Sequence, residues 1–215
     1  MFILGLTGGY CVGKNEVASI LEKSGWKVTD VDKLGHVALP LVCNELIDAF
    51  GDSILREDGS IDRKKLGSLV FNNRERLTSL ENIVHPAMLS LLDKEIEKAQ
   101  QNSIQKLCIN AALLYRFPQL DSCDAVIEVR APLYLRIDRA IQRDHLSFDE
   151  ALHRISSQKE LWRKRSDVSV PIYMLWNLRS LEELEADALE LLKKIENEII
   201  YNFNVVNYIK SFIHN

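Results

Sequence analysis

The first fifteen residues constrain this chain more than any others. An apolar run, Phe2-Ile3-Leu4-Gly5-Leu6, leads into Gly8-Gly9-Tyr10-Cys11-Val12-Gly13-Lys14, which is a short buried strand followed by the pattern G-x-x-x-x-G-K. Glycine lets the backbone wrap a phosphate with its N–H groups turned inward. A helix beginning near Gly13 adds the positive end of its dipole, and Lys14 reaches the outer phosphates. By chance the three fixed positions occur in roughly one chain in twenty of this length. Their setting is narrower: the strand-like run precedes them, and a helix-like run follows, with Val17, Ile20 and Leu21 spaced among Glu16, Glu22 and Lys23. Such a chain is expected to bind a nucleoside triphosphate through Gly8, Gly9, Tyr10, Cys11, Val12, Gly13, Lys14, Asn15 and Glu16.

Two positions depart from the motif. Asn15 stands where a Ser or Thr hydroxyl normally coordinates Mg²⁺, and its amide oxygen is a weaker ligand for a hard cation. Asn15 is thus the one candidate metal contact in the loop, and a doubtful one. Cys11 lies where phosphate loops of kinases often carry another glycine; a left-handed backbone there costs a non-glycine residue about 1 kcal/mol.

Composition sets the outer bounds. A chain of 215 residues that is 47% hydrophobic fills the core of one domain, with room for a small inserted subdomain. A net charge of −4, with no block of like charges, supplies no broad field for nucleic acid. Cys11, Cys43, Cys108 and Cys123 are far apart and form no C-x-x-C pair, so neither a disulfide framework nor a zinc site is expected. The N-terminal apolar run lacks a basic flank, is too short for a signal peptide and is interrupted by glycine. No stretch approaches the ~20 apolar residues of a membrane span. The expectation is a cytoplasmic protein with neither nucleic acid nor membrane as partner, its oligomeric state open.

Strand-like and helix-like segments alternate, as in an α/β parallel sheet covered by helices. The strand candidates are Phe2–Leu6, Trp26–Thr29, Lys106–Ala111 and Ala125–Val129. Between the second and third lies a long strandless region with helix candidates at Cys43–Phe50, Arg63–Phe71, Arg74–Ile83 and Pro86–Gln100, and a turn at Glu57-Asp58-Gly59-Ser60. It reads as a substrate-side insertion. Ser147 with Glu150, and Ser180 with Glu183, have capping-box spacing and mark two later helix starts. From Asn197 onward polar and apolar residues alternate, a tail expected to pack on the domain or on a second subunit.

The second strand runs into Thr29-Asp30-Val31-Asp32, placing two carboxylates at the carboxyl edge of the sheet, where ligands of open α/β sheets bind. An extended strand turns Asp30 and Asp32 to one side, one facing an acceptor hydroxyl and the other the waters of a metal. Capping of the next helix by either aspartate is an equally good reading.

Several segments together resemble the dephospho-coenzyme A kinase family. They are Gly5-Leu6-Thr7-Gly8-Gly9 with the G-K loop, the Asp-Val-Asp triplet, Leu55-Arg56-Glu57-Asp58-Gly59-Ser60-Ile61-Asp62-Arg63, and Leu80-Glu81-Asn82-Ile83-Val84-His85-Pro86. The last two discriminate, since the phosphate loop alone fits many unrelated proteins. The resemblance runs from residue 1 to about 195. It implies a P-loop kinase-type parallel sheet flanked by helices, in one domain spanning 1–215, with a helical CoA-side insertion near 35–100, a lid near 136–160 and a tail near 197–215. The reaction it implies transfers the γ-phosphoryl of ATP, with Mg²⁺, to the ribose 3′-hydroxyl of dephospho-CoA, the last step of coenzyme A synthesis.

Residue by residue, the resemblance makes Asp32 the base or orienting group for the acceptor hydroxyl, with Lys14, Arg139 and Arg143 as its catalytic companions. Arg154 and Asn177 belong to the ATP site, Asn177 bordering adenine, and Arg63 and His85 to the acceptor site. Arg136, Arg139 and Arg143 share one helix face, but the family usually has Gln at the position of Arg136, so only Arg139, Arg143 and Arg154 carry over. His85-Pro86 reads more naturally as a helix N-terminus with a packed histidine. Three departures stand out. The interval from Asp167 to Asn177 is longer than in the family, Asn110 replaces its usual Asp, and Ala112 its usual Pro. With Asn at 15 and 110 together, either Mg²⁺ is held chiefly through ATP, waters and Asp32, or catalysis is weakened. Two alternatives remain open: a related kinase acting on another small alcohol or nucleotide, and a nucleotide-binding module with reduced turnover. A regulatory GTPase is disfavoured, since no Asn-Lys-x-Asp is present.

Overall fold

Strand β1 (Phe2–Gly8) is apolar but for Thr7 because both of its faces are covered: Ile3 to Gly8 are buried. A computed structural model describes residues 1–70, 73–158, 165 and 168–213, with side chains through 198. Around β1 stand β2 (Lys27–Asp30), β3 (Lys106–Asn110), β4 (Ala125–Arg130) and β5 (Ile172–Trp176), all parallel, in the order β2-β3-β1-β4-β5. Alternation along β1 sends Leu4 and Leu6 into one core and Ile3 into the other. The α/β parallel sheet is therefore as expected, with one strand more. β5 was absent from the sequence reading: it is a five-residue edge strand behind Pro171, and it leaves Met174 and Trp176 half exposed, so its pattern carries no sustained apolar signal.

Helix α1 (Lys14–Lys23) follows the loop and packs Val17, Ile20 and Leu21 with Leu184, Ala188, Leu192 and Ile195 of α8 (Leu181–Ile213) on one face of the sheet. The other face is covered by α2 (Val31–Ala38) and α5 (Arg74–Gln101). The insertion adds α3 (Cys43–Phe50) and α4 (Arg63–Val70), with a reversal at Gly59 that brings Leu55 opposite Ile61. The two helices expected at Arg74–Ile83 and Pro86–Gln100 are one helix of 28 residues with Pro86 inside it. Proline deletes one backbone donor and crowds the preceding turn. Burial of Val84, Met88, Leu92 and Ala99 along one stripe offsets that cost. His85 therefore lies in mid-helix rather than at a helix start.

Two more helices, α6 (Leu133–Asp144) and α7 (Phe148–Ser157), stand beyond β4. Both capping-box expectations hold: Ser147 and Glu150 exchange hydrogen bonds at the start of α7, and Ser180 and Glu183 at the start of α8. The tail continues α8 to Ile213. Its side chains from position 199 onward, together with Phe71, Asp167 and positions 159 and 160 of the expected lid, lie outside the described residues.

Candidate active site

Gly8 ends β1 at the carboxyl edge of the sheet, and α1 begins at Lys14. The turn between them needs two left-handed residues, Cys11 at φ 59° and Gly13 at φ 94°. Gly13 is also constrained by proximity, since a Cβ there would lie 2.2 Å from Asn177 Nδ2. Asn177 Nδ2 donates to the Val12 carbonyl at 3.0 Å, and this clamps the loop. Cys11 tolerates its backbone because its side chain is buried among Ile137 and Ala140 of α6 and Ala151 and Ile155 of α7. That burial raises the thiol pKa and keeps it protonated.

Lys14 is buried, and its Nζ donates to Asn110 Oδ1 at 2.5 Å and lies 3.6 Å from an oxygen of Asp32. Asn110, at the end of β3, also donates through Nδ2 to Asn15 Oδ1 at 3.4 Å. Its amide thus bridges the ammonium and the first turn of α1. The two aspartates after β2 divide their work. Asp30 caps α2, accepting from the Lys33 N–H at 3.2 Å, so the strand ends there and the extended geometry that would turn both aspartates one way does not reach Asp32. Asp32 sits in the first turn of α2 with its side chain 61% exposed, beside the lysine.

Helices α6 and α7 meet the loop through arginines. Arg139 donates to Asn177 Oδ1 at 3.0 Å and reaches the Asn177 and Cys11 carbonyls at 3.4 and 3.5 Å. Arg143 and Arg154 place their guanidiniums 5.2 and 5.3 Å from the centre of the Tyr10 ring. Arg136, passed over in the sequence reading, lies directly against the loop: its Nε donates to the Tyr10 carbonyl at 2.8 Å, and a Cβ on Gly9 would meet its Nη2 at 2.8 Å. Its i, i+3, i+7 spacing with Arg139 and Arg143 was the available signal. Gln158, also outside the expected set, accepts from the Tyr10 N–H at 2.5 Å.

On the other side of Lys14 a cavity of about 330 Å³ opens between α2, α4 and α5, lined by Asp32, His36, Arg63, Leu66, His85, Met88 and Phe117 among others. Asp32, Arg63 and His85, 53 residues apart at their extremes, are thus brought to one cleft. The His85 ring meets Phe117 edge-on at 5.8 Å, and burial lowers its pKa.

A family model for dephospho-CoA kinase matches residues 2–173. A dephospho-CoA kinase of Carboxydothermus hydrogenoformans is 35% identical over 199 residues, covering 89% of this chain and 93% of that protein. One from Bacillus licheniformis is 34% identical over 200 residues, 91% and 97%. The chain belongs to the dephospho-CoA kinase family. It is an ATP-dependent kinase by that membership, in a family whose role is coenzyme A biosynthesis. The fold agrees: the crystal structure of TT1252 from Thermus thermophilus superposes with a TM-score of 0.72 at 32% identity, covering 90% of this chain and 97% of that one. A dephospho-CoA kinase from Campylobacter jejuni shares the fold at 0.66 and 24%, with coverage of 91% and 98%.

Kinases of this kind generally use a divalent metal with ATP. Among the described residues beside Lys14, the Asp32 carboxylate and the Asn15 amide oxygen, the latter 3.4 Å from the Asn110 Nδ2 that donates to it, could face a metal; the Asn110 oxygen is taken by Lys14. Among the described residues no group of three or more His, Cys, Asp or Glu side chains is arranged to hold a metal. This donor set fits a hard cation carried mainly by nucleotide phosphates and water, not one caged by protein. No helix of the described residues is long and apolar enough to cross a membrane.

One further group was invisible in the sequence. Glu128 on β4 is 1% exposed and accepts from Tyr115 Oη at 2.7 Å, Arg165 Nε at 2.7 Å, and Arg130. Burial pushes its carboxyl up, but these donors outweigh burial and hold it below the ordinary range. A lone Glu inside an apolar strand gave no hint of partners 13 and 37 residues away.

Proposed function

We propose that this chain transfers the γ-phosphoryl of ATP to the ribose 3′-hydroxyl of dephospho-CoA, with Mg²⁺. The observation that carries the reading is the position of Asp32, whose carboxylate is 3.6 Å from the phosphate-loop lysine and at the mouth of the cleft that holds Arg63 and His85. Donor phosphates and acceptor hydroxyl meet there.

The loop from Gly8 to Glu16 binds the triphosphate, and Lys14 carries charge on the transferring group. Asp32 orients the hydroxyl and accepts its proton, and in a loose phosphoryl-transfer transition state orientation is the larger share. Arg139, Arg143 and Arg154, with Arg136, neutralise charge as it develops on the phosphoryl oxygens. Asn177 closes the loop beside the adenine. Arg63 and His85 bind the acceptor, Arg63 by pairing with its phosphates and His85 by lining the half-apolar wall. Asp32, the Asn15 amide and the nucleotide hold Mg²⁺, which supplies further charge neutralisation when bound. The cytoplasm, where both substrates are found, is the proposed location, and the insertion, lid and tail act as parts of one domain.

The test is mass-spectrometric detection of phosphorylated product from ATP and Mg²⁺ with a panel of acceptors: dephospho-CoA, a nucleoside monophosphate and a sugar acid. The expected result is a gain of one phosphate on dephospho-CoA alone, lost on chelation of the metal. Turnover confined to another acceptor would overturn the assignment.

A further inference from the structure

Tyr10, the third residue of the phosphate loop, is held by side chains of both α6 and α7 and by Gln158, which follows α7. The guanidiniums of Arg143 and Arg154 both approach its ring, 5.2 and 5.3 Å from the centroid. Its hydroxyl donates to Asp144 Oδ2 and accepts from Arg154 Nη1 at 3.1 Å. Asp144 in turn takes Arg143 through Nε at 2.9 Å and Nη2 at 2.8 Å, with Arg154 Nη1 at 3.9 Å. The Tyr10 backbone is gripped at both ends, its N–H by Gln158 and its carbonyl by Arg136. One aromatic side chain and one carboxylate thus fix two of the arginines that the proposed reaction requires.

We propose that Tyr10, with Asp144, is the positioning residue for Arg143 and Arg154, tying lid to phosphate loop before the triphosphate arrives. The proposal deepens the reading of the site as a kinase centre and rests on it for its functional meaning. Arginine on a surface helix samples many rotamers, and each must be frozen before its fork can meet a phosphate. A cation over an aromatic face costs less desolvation than a second ion pair. The phenol also gives Arg154 a hydrogen bond while Arg143 is taken side-on by Asp144. The Asp144 carboxyl is accordingly pulled down to about 2 by the bonds from Arg143 and Tyr10, so the cluster is charged throughout the physiological range. An aliphatic residue at position 10 offers neither an aromatic face nor a hydroxyl.

The experiment compares wild type with Tyr10→Phe, Tyr10→Leu and Asp144→Asn. The first readout is the rate of phenylglyoxal modification at each arginine, mapped by peptide mass on the nucleotide-free protein, so that no acceptor enters and a wrong acceptor assignment leaves it unaffected. Arg143 and Arg154 are expected to react about threefold or more faster in Tyr10→Leu and Asp144→Asn, with Arg139 unchanged and Tyr10→Phe intermediate. The second readout is steady-state kinetics: kcat falls about tenfold or more in Tyr10→Leu, KM for ATP stays within twofold, and Tyr10→Phe recovers most of kcat. If Tyr10→Leu does not fold, Tyr10→Phe and Asp144→Asn decide. Unchanged arginine reactivity in the folded variants overturns the proposal, whatever happens to kcat.

Discussion

The two halves of the site are built in opposite ways. On the donor side, the residues from Gly8 to Asn15 are cross-linked by hydrogen bonds to partners up to 165 residues away: Asn177 on Val12, Gln158 and Arg136 on Tyr10, Asn110 on Lys14. On the proposed acceptor side, Asp32, Arg63 and His85 line one cleft together with the apolar Leu66, Met88 and Phe117. A triphosphate is the same polyanion in every ATP-dependent kinase, so its cradle is fixed, polar and preorganised. A large acceptor with an apolar arm is matched by volume and by a few placed charges. Substitutions on the donor side should therefore move turnover and stability together, whereas those on the acceptor side should move KM for one substrate.

The largest effect expected is from Lys14→Met, which removes the charge at the centre of the donor side. It should lower kcat by about 10³-fold and, because it leaves the buried Asn110 oxygen without its donor, lower the melting temperature as well, as read by steady-state kinetics and calorimetry. Asn177→Ala comes next. It deletes the bond to the Val12 carbonyl and the acceptor of Arg139, and should cost about 2 kcal/mol, seen as a fall in melting temperature of about 4–8 °C for a chain of this size. On the acceptor side, Arg63→Gln should raise KM for dephospho-CoA about tenfold, the worth of one charged hydrogen bond, and leave KM for ATP within twofold. A larger change for ATP than for the acceptor would erase the division between the two halves.

The smallest effect concerns His85. Burial lowers its pKa in the folded state, so between that value and the ordinary one of about 6.5 the unfolded chain binds more protons than the folded chain. Stability is then present above the ordinary value and is lost as pH falls through the window. His85→Gln should lessen the decline in unfolding free energy between pH 7 and 5 by under about 1 kcal/mol, as read from denaturant titrations at the two pH values. An equal decline in the variant would place the acid sensitivity elsewhere.

The same contrast decides how much the sequence revealed. The donor loop was legible because its signal is local: glycines, a lysine and a strand-to-helix switch within fifteen residues, with even the strained backbone at Cys11 foreshadowed by a missing glycine. Four of the five strands and both capping boxes were legible for the same reason. Arg136 was set aside because the resemblance puts Gln at its position, and Asn110 stood only as a departure from an expected Asp; that one grips the Tyr10 carbonyl and the other takes the Lys14 ammonium depends on which way a helix and a strand end face once folded, as does the bond of Gln158 to the Tyr10 N–H. Pro86 misled because a proline is a strong local stop, and only tertiary burial along Val84, Met88 and Leu92 overrides it. By position alone Asp30 and Asp32 were two equivalent carboxylates, and only the resemblance singled out Asp32; the structure separates them because β2 stops at Asp30, which caps α2, while Asp32 stands beside Lys14.

The account turns on Asp32 as the point where the two halves meet, and single-turnover transfer from ATP to dephospho-CoA by Asp32→Asn tests it most directly. The amide keeps the size of the side chain and removes its charge and its capacity to take a proton. The transfer rate should fall by about 10²-fold or more, while equilibrium dissociation constants for ATP and for dephospho-CoA, measured on the same protein, stay within threefold of wild type. Transfer at the wild-type rate would contradict the account, and so would a loss explained entirely by weaker binding of either substrate.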